Sequence, residues 1–157
     1  MEKDFEGNAF KFNYEKEFED AIFNGDLNKI KYCLNRGFDP TFKDNLGIIR
    51  SVVYNDVKIV KLLLEDKRVN PSIRDNFPIR QASSNGRKEI VKLLLKDERV
   101  DPSSKNNQSI INANKNGHRG VVKLLFKDNR VRKSLDKKDI KGFIEIEYKL
   151  FKLKKLF

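Results

Sequence analysis

At 157 residues the chain has room for one ordinary domain, and with 38% apolar and 36% charged residues it suits a body with much surface for its volume. The single cysteine, Cys33, excludes an intrachain disulfide, and no apolar run approaches the roughly 18 residues of a membrane-spanning helix. The net charge of +11 would draw an acidic partner, but it is uneven: residues 1–36 carry six basic and eight acidic side chains, residues 132–157 nine basic and four acidic.

Residues 1–17 form an N-terminal arm. Its opening, MEKDFEGNAFKF, is acidic and lacks an apolar signal core, so the expected compartment is intracellular, cytoplasm or nucleus. Phe5, Phe10, Phe12 and Tyr14 sit among charges and are expected to lie over the first exposed helix face. An atypical first unit covers 18–38. Phe18, Ala21 and Ile22 have helical spacing, Asn24-Gly25-Asp26 signals a turn, and Leu27, Ile30 and Leu34 mark a second helix that ends at Gly37.

Three copies of one pattern follow, at 39–69, 70–100 and 101–131, each 31 residues long. Pro40, Pro71 and Pro102 fall in register, as do Asn45, Asn76 and Asn107, and Ile48, Ile79 and Ile110. The clearest block is IVKLLL at 59–64, IVKLLL at 90–95 and VVKLLF at 121–126. Such units are too small to bury an apolar face alone, so stacked neighbours must share one core. Within 70–100, Asn76 reads as an N-cap and Pro78 fits the first turn of a helix. Ile79, Ala82 and Ser83 face inward, and Asn85-Gly86 breaks the helix. Ile90, Val91, Leu93, Leu94 and Leu95 then give a second helix buried on a wide arc. Asn55 stands where Gly86 does, a position Asn tolerates in a left-handed conformation. Gly120 falls in the first turn of a helix, where it should cost about 0.5–1 kcal/mol against Ala.

After Val131 the register fails, because Arg132 and Lys133 stand where Asp or Asn and Pro would be needed. Residues 132–157 read as a C-terminal capping helix region, with Ile140, Phe143, Ile144, Phe151 and Phe157 sharing much of one face. The alternation Phe143, Ile144, Ile146, Tyr148, Leu150 is also partly strand-like.

These helix pairs resemble the ankyrin repeat. The likeness runs through Pro78-Ile79, Ala82-Ser83, Asn85-Gly86, Ile90-Val91 and Leu93-Leu94-Leu95, and again through Ile110, Ala113, Gly117-His118, Val121-Val122 and Leu124-Leu125. Arg36-Gly37-Phe38-Asp39 looks like the family's unit ending. In style the chain is similar to the divergent, short-period ankyrin proteins of large DNA viruses, whose setting would be a host cell. The resemblance implies an all-α solenoid of antiparallel helix pairs. The family's Thr-Pro-Leu-His tetrapeptide is absent, and the span from the opening Asp or Asn to the first-helix Ile is about three residues short of the ~33-residue pattern. Either a shortened loop replaces the usual hairpin finger, or the finger is normal and the helices are shorter.

Candidate chemistry is sparse. His118, the only histidine, cannot build a His-based metal cluster, and no second cysteine helps. The family resemblance implies a structural histidine whose ring bonds backbone near the turn; Arg87 and Asp56 replace it in the other copies. Cys33 in an apolar stripe reads as an inert buried thiol. Glu65-Asp66 and Asp97-Glu98 read as exposed, without calcium-loop spacing. Gly86-Arg87-Lys88 lacks the strand and preceding glycine of a phosphate loop. The expectation is no catalysis, no cofactor and no metal.

An elongated stack offers a concave surface of inter-unit loops and first-helix positions, which in the family usually carry the partner contacts. By register the candidates are Phe23, Phe42, Arg50, Tyr54, Arg74, Gln81, Ser84, Lys105, Asn112 and Lys115. Phe23, Arg50 and Tyr54 lead, since aromatics and Arg dominate such interfaces. The expected function is a monomeric, non-catalytic protein–protein interaction scaffold. The alternative is nucleic-acid or acidic-membrane association through Lys123, Lys127, Arg130, Arg132, Lys133 and the Lys-rich tail.

Overall fold

The computed structural model describes residues 13–135 and Gly142. The expectations for the arm before residue 13 and for a helix or strand over 140–157 lie outside the described residues. Those residues fold as α1 (Tyr14–Asn24), α2 (Leu27–Asn35), α3 (Phe42–Tyr54), α4 (Val57–Glu65), α5 (Ile73–Ser84), α6 (Lys88–Leu95), α7 (Ser104–Lys115), α8 (Arg119–Lys127) and the short α9 (Asn129–Ser134). The fold is all-α. Helices pair as α1 with α2, α3 with α4, α5 with α6 and α7 with α8. The first helices of the pairs pack side by side in one row, and α4, α6 and α8 pack in a second.

Each pair turns on a residue at positive φ: Gly25 (71°), Asn55 (62°), Gly86 (68°) and Gly117 (75°). Asn55 adopts the left-handed conformation expected of it. The next residue's N–H then closes on a carbonyl near the first helix's end: Asp26 on Ala21 (2.9 Å), Asp56 on Ser51 (2.9 Å), Arg87 on Ala82 (2.9 Å) and His118 on Ala113 (2.8 Å).

The core is continuous from Phe18 to Leu135. In the Leu-rich blocks Ile59, Val60, Leu63, Ile90, Val91, Leu94, Val121, Val122 and Leu125 are buried, while Leu93 and Leu95 are half-buried. Each fully buried aliphatic contributes about 1.5–3 kcal/mol relative to exposure. Small side chains let the first helices approach. Ala21, Ser51, Ala82 and Ala113 are buried, as are Gly47, Pro78 and Ser109 one turn earlier in the later units. A Cβ on Gly47 would stand 3.1 Å from the Phe18 ring, so its absence seats that ring. Cys33 is buried, and burial pushes its thiol pKa up.

The entry to α3, α5 and α7 departs from the N-cap expected at Asn76. Three consecutive residues adopt left-handed conformations at the same register: Lys43, Asp44 and Asn45; Arg74, Asp75 and Asn76; Lys105, Asn106 and Asn107. The turn closes from the N–H of Asn45 to Thr41 O, of Asn76 to Ser72 O and of Asn107 to Ser103 O, each 2.8 Å. Asn76 (φ 60°, ψ 38°) therefore caps nothing on its own helix. Its Oδ1 accepts the backbone N–H of Asp101, 2.7 Å away in the next unit, as Asn45 Oδ1 accepts that of Asn70 at 2.7 Å. Asn107 Oδ1 accepts the Ser134 hydroxyl at 2.6 Å. A left-handed conformation is disfavoured for most side chains and easiest for Asn and Asp. The cross-unit bonds offset that cost, and the shortened loop is the outcome. Upstream, Asp39, Asn70 and Asp101 accept from the N–H two residues on, at 2.9, 3.0 and 2.9 Å, which fixes the turn at each buried proline.

Candidate partner-binding surface

The seams between units decide which side chains remain for a partner. α6 and α8 lack side-chain N-caps, whereas Asp26 and Asp56 cap α2 and α4. In the later units the corresponding residue reaches back across the seam instead. Arg87 Nη1 donates to Val52 O and Val53 O. His118 Nε2 lies 3.0 Å from Ser84 O, which requires that nitrogen to carry the proton. His118 is thus structural, and its ring occupies the space where a Gly86 Cβ would fall, 2.5 Å from Nδ1.

A second brace was not read from the sequence. Arg99 pairs with Asp97 and donates to Val69 O (2.7 Å) and Leu64 O (3.1 Å) of the preceding unit. Arg130 repeats this with Asp128, Val100 O (2.7 Å) and Leu95 O (3.0 Å). Among the described residues Arg68 pairs with Asp66 alone. Asp66 and Asp97, expected to be exposed, are largely shielded, with side chains 19% and 14% accessible. The bonded guanidiniums hold the carboxyls of Asp66, Asp97 and Asp128 below the usual range. The signal was present as Asp-x-Arg-Val at 66–69, 97–100 and 128–131, with all three valines buried.

The ten candidates fall into several situations. Phe23 and Tyr54 meet edge to face, ring centroids 5.7 Å apart, and stay 69% and 47% exposed. Phe42 and Arg50 share a depression with Phe18, Glu19, Ile22, Leu46 and Gly47 that is too tight to hold a water molecule. Phe42 is half-buried against Phe38 at 5.6 Å, so it is partly a seam residue. Arg50 Nη1 lies 3.1 Å from Glu19, which also holds Lys43; bonding to Lys43 leads in lowering the Glu19 pKa.

Arg74 and Lys105 occupy one register position on successive loop tips. Each pairs with the acid of the tip before it, Arg74 with Asp44 and Lys105 with Asp75, both at 2.9 Å. Lys105 thereby lowers the Asp75 pKa. These pairs are exposed, so they contribute little to stability and open readily to a partner. Ser84 is tied to the next unit through Asn116 Nδ2, 2.7 Å from its carbonyl and 3.1 Å from its hydroxyl. Gln81 and Asn112 are half-buried, and Lys115 is exposed. Of the cations considered for phosphate contact, Arg130 is committed to its brace, while Lys127, Arg132 and Lys133 are exposed.

Among the described residues no group of three or more His, Cys, Asp or Glu could hold a metal ion, and no helix is long and apolar enough to cross a membrane. A family model described as "Ankyrin repeats (3 copies)" matches residues 18–106 and again 48–139. No curated protein and no solved structure matches the chain. Ankyrin repeats are non-catalytic scaffolds that generally mediate protein–protein contacts. With helix-pair units through the matched residues, and with the matches together covering well over half its length, the chain belongs to the ankyrin-repeat family.

Proposed function

We propose that this chain takes one partner protein on the concave side of its stack, over the exposed ends of the first helices and the loop tips. The observation that carries the reading is the Phe23–Tyr54 pair. Two aromatic rings from different units stand together in solvent, where a lone chain gains nothing from exposing them. Toward α5 and α7 the corresponding surface turns polar, with Ser84, Asn85, Asn112 and Lys115, which suits hydrogen bonding around an aromatic anchor.

The proposal includes units at 18–38, 39–69, 70–100 and 101–131 flanked by the arm 1–17 and the cap 132–157. It treats the protein as a monomer acting inside a cell. The 31-residue period and the missing Thr-Pro-Leu-His tetrapeptide support grouping it with the divergent ankyrin proteins of the kind carried by large DNA viruses. The nucleic-acid or acidic-membrane alternative draws no support from Arg130, whose guanidinium is occupied.

The test is retention of partners from lysate by the immobilised protein, identified by mass spectrometry. Phe23→Ser with Tyr54→Ser should cut retention of the captured partner at least about tenfold, since truncating an interface anchor costs about 2 kcal/mol or more. Unchanged capture by that variant would place the interface elsewhere.

A further inference from the structure

Resting on the recognition surface proposed above, we infer that its partner presents an apolar anchor with a carboxylate beside it, the anchor seating on Phe23 and Tyr54 and the carboxylate pairing with Arg87. Arg87 is the specificity-determining residue of this pairing.

The argument begins with charge. Arg68, Arg99 and Arg130 each pair with their own Asp, Arg50 with Glu19, and Arg74 with Asp44. Arg87 has no carboxylate among the described residues. It is half-buried, its Nη1 rests on the carbonyls of Val52 and Val53, and burial alone pulls its pKa down. Its Nε and Nη2 have no acceptor among the described residues. A guanidinium that stays charged while partly desolvated favours an incoming anion. The carboxylates of the equivalent turns do not pair with it: Asp26 and Asp56 cap their own helices, accepting from Lys29 N and Ile59 N, both at 2.9 Å.

Position supplies the second half. Arg87 bonds the carbonyl of the residue before Tyr54, so the unpaired charge borders the aromatic pair. Val53 and Val57, 37% and 36% exposed, extend the apolar surface there. Asp20, one turn before Phe23 on α1, is exposed. It would repel an acid running that way, so the acid of the bound segment lies on the Arg87 side of the anchor. The net charge of +11 acts in the same sense at long range.

The probe is a random 12-residue peptide library displayed on phage, selected in parallel on the full-length protein and on its Arg87→Glu, Arg87→Gln and Phe23→Ser variants. Circular dichroism checks that each variant is folded. Peptides selected on the wild type should carry Asp or Glu within a few positions of an aromatic or leucine. Their affinity should fall at least about tenfold on Arg87→Gln, which loses the charge, and also on Phe23→Ser. Selection on Arg87→Glu should turn the preference to Lys or Arg.

An acid-free consensus, or an acid preference that both Arg87 variants leave intact, overturns the inference. If Phe23→Ser still abolishes binding in that case, the recognition surface itself survives. Peptides indifferent to all three variants, or an empty selection, overturn both. A gain of affinity on Phe5→Ser would name the chain's own Asp4-Phe5-Glu6 as occupant, and a concentration-dependent dimer lost on Phe23→Ser would name a second copy. Either result overturns assignment to an external partner.

Discussion

The first seam, between the α1–α2 and α3–α4 pairs, is held differently from the two that follow. α2 ends on Gly37 at φ 86°, whose N–H closes on Leu34 O at 3.0 Å while Phe38 N–H closes on Cys33 O at 3.1 Å. That helix satisfies its own last carbonyls. α4 and α6 end without a glycine, and Arg99 and Arg130 of the following unit take up Leu64 O and Leu95 O. Arg68, facing an end already closed, has only Asp66 among the described residues. At the first seam rings add to the Glu19 pairs with Lys43 and Arg50: Phe38 meets Phe42 at 5.6 Å and Phe23 meets Tyr54 at the rim, while Phe18 stacks on Phe38 at 4.7 Å inside the first unit. Polar braces fix the later seams, where the exposed large apolar side chains are aliphatic, Val53, Val57 and Ile111. Aromatic packing is heavier at the first, and its outermost pair is the anchor proposed for a partner.

The comparison breaks most visibly at Gly86. Gly86→Ala meets both the positive φ and the His118 ring, whereas Gly117→Ala meets positive φ with open space around the added carbon. Gly86→Ala should cost about 3 kcal/mol and Gly117→Ala about 1–2, read from urea midpoints, because only the former also displaces the ring from Ser84 O. Arg99→Ala should cost about 2 kcal/mol through lost bonds to Leu64 O and Val69 O, with Arg130→Ala similar. Arg68→Ala should cost less than about 1 kcal/mol. Equal losses at 68 and 99 would erase the distinction between the seams.

Acid sharpens the same point. The folded-state pKa values of Asp66, Asp97 and Asp128 are lowered, so the stability they contribute is present above the ordinary carboxylate pKa near about 4 and is lost as pH falls through the lower folded values. Arg99→Ala should flatten that part of the stability–pH curve. The smallest effects run the other way. Ser83 and Ser109 hydroxyls are buried with no hydrogen-bond partner among the described residues, so Ser83→Ala and Ser109→Ala should be neutral or stabilising by up to about 1 kcal/mol. Gly120→Ala should stabilise by about 0.5–1 kcal/mol, since its Cβ would make only ordinary contact with Lys88 at 3.5 Å.

The 31-residue register was legible because core positions repeat by residue type. Ile48, Ile79 and Ile110 are all buried, as are Ser51, Ala82 and Ala113. Asn45, Asn76 and Asn107 were visible as a repeat but misread at Asn76, because one residue type serves both an N-cap and a left-handed turn. The invariance of Asn where Ser, Thr or Asp would also cap a helix was the available clue. Arg68, Arg99 and Arg130 recur as plainly. Their role could not be read because it depends on how the previous helix ends, a matter of backbone carbonyls that leave no mark on side-chain pattern. Among the partner candidates, register brought Phe23 next to Tyr54. It could not show that Phe42 would be drawn into the Phe38 stack, or that Arg87 would lack the counter-charge that Arg99 and Arg130 have.

The direct test of cross-seam bracing is amide hydrogen exchange at Asn70 and Asp101. Both N–H groups lie outside the helices and, among the described residues, are held only by the Asn45 and Asn76 side chains at 2.7 Å. They should exchange as slowly as core helical amides, with Asn45→Ala releasing Asn70 and leaving Asp101 protected. Exchange of both at the rate of an open loop in the unmodified protein would contradict the account.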